Sequence, residues 1–274
     1  QALVEALIRE HGVRSIIHFA GSIVVPESVA DPLGYYLNNT VKSRALLEVA
    51  VKTGVEHFIF SSTAAVYGNP RENPVSETAT PAPMSPYGSS KLMTEIMLRD
   101  TAFAHPIRYV ALRYFNVAGG DPEGRTGQST PRATHLIKVA CETALGQRQQ
   151  MDVFGTDYET IDGTCVRDYI HVKDLARAHS AALDYLRKGG ASDIFNCGYS
   201  RGYSVKQVID AVKRVSGSDF AVNLAPRRPG DPAAIVAASA KIRETLGWQP
   251  VLDDLDTIVG HALAWERQLP SRKS

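Results

Sequence analysis

The chain has 274 residues, 44% hydrophobic and 22% charged, which is a globular composition rather than a disordered one. Thirty Lys and Arg against 29 Asp and Glu leave a formal +1, so no bulk charge points to nucleic acid or an anionic membrane surface. The longest charge-free stretch, 57–70, has 14 residues, short of the roughly 20 apolar residues that a membrane-crossing helix requires. In chain order, the first signal is an amphipathic pattern (Leu3, Val4, Leu7, Ile8) that reads as a helix. Gln1 rather than Met stands first, with no charged, apolar and cleavage regions of a signal peptide, so the chain reads as a fragment. Arg14 to Ala20 is a β-branched and aromatic run, a buried-strand signal. Pro26 to Pro32 reads as a broken, turn-like stretch. From Leu33 the residues Leu37, Val41 and Ala45 recur at i+4, predicting a helix of about five turns over 33–53, closed by Gly54.

Glu56 to Ser62 reads as a second buried strand. Strand, long helix and strand in that order make a βαβ unit and imply a parallel sheet. Residues 68 to 86 carry five prolines and are expected to form a long loop. A helix follows over 87–103 and a third strand over 107–114. Gly119, Gly120, Gly124 and Gly127 mark an irregular segment and a domain boundary. Beyond it the spacing predicts helices near 131–146, 174–187, 204–216 and 254–268, with strands near 168–172 and 193–197. Cys141, Cys165 and Cys197 are widely spaced with no C-x-x-C pair, which fits a reducing, cytoplasmic setting better than a disulfide framework. The eight histidines are scattered and no H-E-x-x-H occurs, so no metal site is expected.

The strongest local signal for chemistry is Tyr87-Gly88-Ser89-Ser90-Lys91 at the start of a helix. Residues four apart on a helix share a face. A tyrosine, with its reference pKa of ~10, is a poor base at neutral pH, and a nearby ammonium stabilises its phenolate. Reaching pH 7 requires about 4 kcal/mol of favourable field, more than one partly exposed lysine supplies. An oxidised nicotinamide would close that gap. Taken alone, the spacing is equally that of an exposed tyrosine beside a solvated lysine. Upstream, Ser61-Ser62-Thr63 ends the second strand, where open α/β sheets bind ligands, so Thr63 is expected to meet Tyr87 across a cleft. A Ser/Thr turn satisfying its own backbone accounts for the same residues.

Four segments then occur in order: His18-Phe19-Ala20-Gly21, Phe60 to Gly68, Ser85-Pro86-Tyr87-Gly88-x-x-Lys91 and Arg113-Tyr114-Phe115-Asn116. They are followed by the long run from Phe154-Gly155-x-Asp157-Tyr158 through Val166-Arg167-Asp168-Tyr169-Ile170-His171-Val172. Together they resemble the UDP-glucose 4-epimerases of the extended short-chain dehydrogenase family, over essentially the whole chain. The resemblance implies an α/β fold, an N-terminally truncated Rossmann-type doubly wound parallel sheet with a smaller mixed α/β substrate domain. The dinucleotide-binding part is expected over 1–118 and the nucleotide-sugar-binding part over 119–274, with part of 165–198 returning to the first sheet.

The resemblance also implies roles. Tyr87 matches the catalytic base, Lys91 the lysine that binds the nicotinamide ribose and tunes that base, and Thr63 the proton relay. Phe19, Asn38, Ser61 and Tyr114 fall at positions lining the NAD site. Asn116 matches a contact to the substrate diphosphate. His135, Leu136, Phe154, Arg167, Arg228 and Asp231 fall where the family holds uracil, ribose and phosphates. Two arginines suit a diphosphate dianion through charge-assisted, bidentate bonds, although each taken singly is equally a surface ion pair. The implied reaction is NAD-dependent interconversion of UDP-glucose and UDP-galactose through a transient 4-keto sugar, with hydride returned to the opposite face. A homodimer packing 33–53 and 87–103 against their mates is implied too, although burial within one chain explains those apolar faces equally.

Three departures qualify that expectation. No two glycines are separated by one residue, so G-x-G-x-x-G is absent, as is G-x-x-G-x-x-G. The chain as it stands is therefore expected to bind NAD weakly or not at all. Ile23 stands where many epimerases carry a lysine near the cofactor. Ile235 occupies a position that gates room for an N-acetyl group, leaving plain and N-acetylated hexoses both open. A nucleotide-sugar dehydratase is the nearest rival, but Thr63 is followed by Ala64-Ala65 where elimination needs an acid and a base. A non-catalytic nucleotide-sugar-binding or dimerisation module is the alternative of a different class.

Overall fold

A computed structural model describes residues 1–130, 133–228 and 230–272. Four strands, β1 (Ser15–His18), β2 (His57–Thr63), β3 (Arg108–Tyr114) and β7 (Asp193–Cys197), pair in the order β1-β2-β3-β7, all parallel. Their alternation explains the two covered faces. Phe58, Phe60, Tyr109 and Ala111 pack with Leu47 and Ala50 of α4 (Lys42–Thr53) and Leu98 of α5 (Pro86–Ala104). Ile59, Val110 and Leu112 pack on the opposite side with Leu175, Ala178 and Leu186 of α7 (Val172–Arg187). The first helix, α1 (Ala2–Glu10), buries only Ile8, against the α4 side.

The expected strand at 193–197 does join the first sheet, beside β3. The remaining strands build two small sheets. In one, β6 (Val166–His171) pairs parallel with β4 (Asn116–Ala118) and β10 (Ala234–Ile235), and antiparallel with β8 (Gly202–Ser204). In the other, β5 (Gln150–Phe154) pairs with β9 (Ala221–Ala225). Helices α6 (Leu136–Ala144), α8 (Val205–Ser216) and α10 (Leu255–Arg272) pack together beside them. Ser204 opens α8 with a capping box completed by Gln207.

Two readings need correction. The stretch expected to be turn-like is helical, forming α2 (Val25–Ala30) and α3 (Pro32–Tyr35). Both prolines sit in first turns, where a missing N–H costs nothing. The helix expected unbroken over 33–53 is interrupted by a π-helical turn, Tyr36–Val41, before α4 ends at Gly54 with φ 74°. The helix expected near 131–146 spans Leu136–Ala144, with 131 and 132 outside the described residues. The strands β4, β5, β8, β9 and β10 and helix α9 (Ala240–Leu246) are short, and no periodicity marks them in sequence.

Candidate active site

The C-terminal ends of the parallel strands set the site. Thr63 and Tyr114 are register partners at the ends of β2 and β3. The chain turns at Thr63 into a 3-10 segment, Ala64–Tyr67, because the Thr63 hydroxyl oxygen accepts from the Ala65 N–H at 3.1 Å. The Thr63 side chain also lies beside the Tyr87 phenol. Tyr87 lies in the first turn of α5, whose N-terminus is capped by Ser85 accepting from Gly88 N at 3.2 Å. The Ser/Thr turn and the cross-cleft contact, read from sequence as alternatives, thus coexist.

Lys91 is buried. Its ammonium donates to the Ser61 carbonyl at 2.9 Å and lies 5.0 Å from the Phe60 ring centre. Burial holds it down at about 8, so it remains a cation at neutral pH. The Tyr87 phenol is raised above its ordinary range by burial, with the neighbouring Thr63 hydroxyl acting against that rise. The lysine on its own therefore does not make Tyr87 a base: its charge is directed at the strand carbonyl. The further positive field anticipated from sequence remains a requirement.

Polar side chains and an exposed aromatic ring lie beside this pair. A Cβ on Gly21 would stand 3.0 Å from Asn39 Oδ1 and 3.4 Å from Lys91 Nζ, so the glycine lets the backbone pass close to both. Phe19 is 57% exposed and its ring lies 4.7 Å from that of His179. Tyr114 is hydrogen-bonded to His179 and lies beside Ser61, and burial pushes its phenol well up. Ser61, Tyr114 and Phe19 are thereby brought together. Asn38 has both ends engaged, donating to Ser22 Oγ at 2.9 Å and accepting from Lys42 at 2.8 Å. Its neighbour Asn39, not singled out from sequence, is buried and joins Ser22 O and Ser90 Oγ at 3.0 Å each. The π-helical turn presents these two asparagines in succession.

The other half of the site is more open. Asn116, His135 and Leu136 line one cavity, together with Lys138, Trp265 and Glu266. Phe154 ends β5, and the Arg228 guanidinium lies 3.6 Å from its ring centre. Arg167 approaches Asp231 at 3.7 Å, and its register partner on β10 is Ile235. Ile235 is buried against Val66, Tyr67 and Phe115, so β10 touches the turn that follows Thr63. Asp168, next to Arg167, accepts from the Tyr199, Ser200 and Ala237 N–H groups at 2.8–3.2 Å, and burial raises its carboxyl to about 6. It holds the loop after β7 and the strand carrying Ile235. Lys138 bonds Glu266, 128 residues away, so no spacing marks it in sequence.

The model of the NAD dependent epimerase/dehydratase family matches residues 1–198. A UDP-glucose 4-epimerase of Azospirillum brasilense is 58% identical over 97% of this chain and 77% of its own length. The UDP-glucose 4-epimerase of Bifidobacterium longum, solved in complex with NAD+ and UDP, superposes with a TM-score of 0.92 at 41% identity, covering 98% of this chain and 81% of that one. The UDP-Glc/GlcNAc 4-epimerase of Campylobacter jejuni superposes with a TM-score of 0.84 at 53% identity, covering 97% and 81%.

Proposed function

The chain belongs to the NAD dependent epimerase/dehydratase family, and on that premise we propose that it inverts C4 of a UDP-hexose, interconverting UDP-glucose and UDP-galactose. The observation that carries the epimerase branch is the Thr63–Tyr87 pair at the strand ends, followed by two alanines. Elimination of water needs an acid and a base beside that threonine, and Ala64 and Ala65 supply neither.

Tyr87 takes the proton of the sugar 4-hydroxyl, with the Thr63 hydroxyl in the relay, and returns it in the second half of the cycle. Lys91 and Tyr87 hold the nicotinamide ribose, and Phe19, Asn38, Ser61 and Tyr114 line the remainder of the NAD site. NAD, when bound, accepts and returns the C4 hydride and, oxidised, adds positive charge near the phenol. Arg167 and Arg228 bind the diphosphate, and Asn116 contacts it. His135, Leu136, Phe154 and Asp231 hold the nucleoside. Tight hold on the UDP half leaves the hexose free to present either face to the base. Ile235 stands at the position that, by the resemblance, sets room for an N-acetyl group, and the choice between plain and N-acetylated hexoses falls to the test with both substrates.

The division of labour assigns 1–118, with β7, to the dinucleotide and most of 119–274 to the nucleotide sugar. Leu33 on α3, Leu37 and Val41 on the π-helical turn, and Met93, Ile96 and Phe103 on α5 are exposed, Phe103 at 96%. These two apolar stripes, on elements that pack against each other, fit a homodimer joined through both helices. Sedimentation velocity is expected to show a dimer that Ile96→Glu turns into monomer; a wild-type monomer rules the dimer out. The three cysteines are free, buried thiols, which supports a reducing, cytoplasmic location.

The test is conversion of UDP-galactose to UDP-glucose, with and without added NAD, and with UDP-N-acetylgalactosamine as a second substrate. Tyr87→Phe is expected to lower conversion of either by about 10³-fold. Activity near the wild-type rate in that variant refutes the assigned base, and UDP binding without turnover by the wild-type chain favours a binding module.

A further inference from the structure

One residue below the reacting row lies a second polar row that the proposed chemistry does not use. Ser62, Arg113 and Asn196 are register partners across β2, β3 and β7. They are 2%, 3% and 0% exposed. Glu95 of α5, also buried, gathers them from the helix side. One carboxylate oxygen accepts the Ser62 hydroxyl and Arg113 Nε, the latter at 3.0 Å, and the other accepts Arg113 Nη2 at 2.7 Å. The Arg113 guanidinium lies 4.8 Å from the Tyr67 ring centre. The Tyr67 hydroxyl donates to Asn196 Oδ1 at 2.7 Å, and Asn196 Nδ2 donates to the Val75 carbonyl at 2.9 Å.

A buried ion pair is a poor stabilising device, since an apolar replacement of similar volume is often neutral or better. Its geometry here suggests another use. Tyr87, Lys91 and Glu95 follow at four-residue spacing along α5, and each reaches one of three consecutive residues of β2. Tyr87 meets Thr63, Lys91 meets the Ser61 carbonyl and Glu95 meets Ser62. Ser62 and Arg113 share the face of Phe58, Phe60 and Ala111, so one carboxylate on that face takes directed bonds from two strands at once. Three such bonds fix both the roll and the axial position of α5 on the sheet. A slip of about 1 Å would take a phenol out of hydrogen-bond reach of a strand-end hydroxyl. We propose that Glu95 is a positioning residue of the reaction, which with Ser62 and Arg113 sets α5 so that Tyr87 faces Thr63. This rests on the reading of Tyr87 as the base.

Glu95→Asp keeps the charge pair but withdraws the carboxylate by one methylene. Its kcat for UDP-galactose is expected to fall about 10- to 100-fold, because misplacement by about 1 Å costs that much. Its KM, and its Kd for UDP measured by calorimetry, stay within about threefold of wild type. The double variant Glu95→Met with Arg113→Leu removes both charges; it is expected to recover the melting temperature lost in Glu95→Met alone while its kcat stays low. Ser62→Ala, which leaves the ion pair in place, gives the mildest case, a loss of about threefold in kcat. Wild-type kcat in Glu95→Asp, or kcat rising together with melting temperature in the double variant, overturns the proposal. Tyr87→Phe measured alongside separates the failures. If it is inactive while Glu95→Asp is fully active, the positioning role alone falls; if it is active, base and positioning role fall together.

Discussion

The two ends of the site are built on different principles. At the reacting end, Thr63, Lys91 and Tyr114 sit on strand ends and a long helix, and each makes a directed bond within the chain. At the anchoring end, Arg227 and Arg228 are exposed and lie over aromatic rings, and the Arg167–Asp231 pair is 3.7 Å apart with Asp231 38% exposed. The first arrangement is preorganised, as a reacting centre requires; the second offers charge and flat apolar surface, which suit a diphosphate and a base. A C4 epimerase needs both, because the sugar must be free to turn while its nucleotide stays held.

That contrast breaks most visibly in kinetics. Tyr87→Phe is expected to lower kcat by about 10³-fold with little change in KM, as loss of a general base does. Arg228→Ala is expected to do the reverse, raising KM and the Kd for UDP about 10- to 150-fold while kcat holds, since a charge-assisted hydrogen bond is worth about 1.5–3 kcal/mol. If both variants altered the same parameter, the division into a reacting end and an anchoring end would fail.

The smallest effect is graded by pH and compares the two regions by stability. His18, stacked on Phe60 and bonded to Ser43 at 2.8 Å, is held down at about 4 by burial and the Lys91 charge. His171 is held down at about 4 by burial and by His261, which lies 3.0 Å away. Its Nδ1 accepts from Lys173 N at the head of α7, a bond that the protonated ring cannot make. Both groups bind protons more readily in the unfolded chain, so stability is present above pH 6.5 and is lost as pH falls toward 4. Each contributes a slope of about 1.4 kcal/mol per pH unit in that window. Asp168, raised to about 6, runs the other way and offsets one histidine between pH 4 and 6. Urea denaturation across this range should show the slope reduced by His18→Gln and by His171→Gln separately. An unchanged slope in either variant removes that histidine from the account.

Much of this was legible in the sequence where a period or a motif is local. The strands at 57–63, 108–114 and 193–197, the helix bearing Tyr87 and Lys91, and the run from 154 to 172 are read from consecutive residues. The π-helical turn was not, because Leu33, Leu37 and Val41 keep helical spacing while the backbone adds a residue to one turn. The helices at 25–35 were missed because proline reads as a breaker, although in a first turn it is tolerated.

The order of the residues determined which side chains share a strand, a helix face or a turn, and hence which chemistry the chain carries. Which atoms meet was decided only by tertiary packing. Lys91 turns to the Ser61 carbonyl, Arg228 covers Phe154, and Glu95 joins two strands. The physical reason is that an ionisable group takes its role from its partners and its burial. Those partners stand 18 residues away for Glu95 and Arg113, 30 for Lys91 and Ser61, and 129 for Tyr67 and Asn196, beyond the reach of any local pattern.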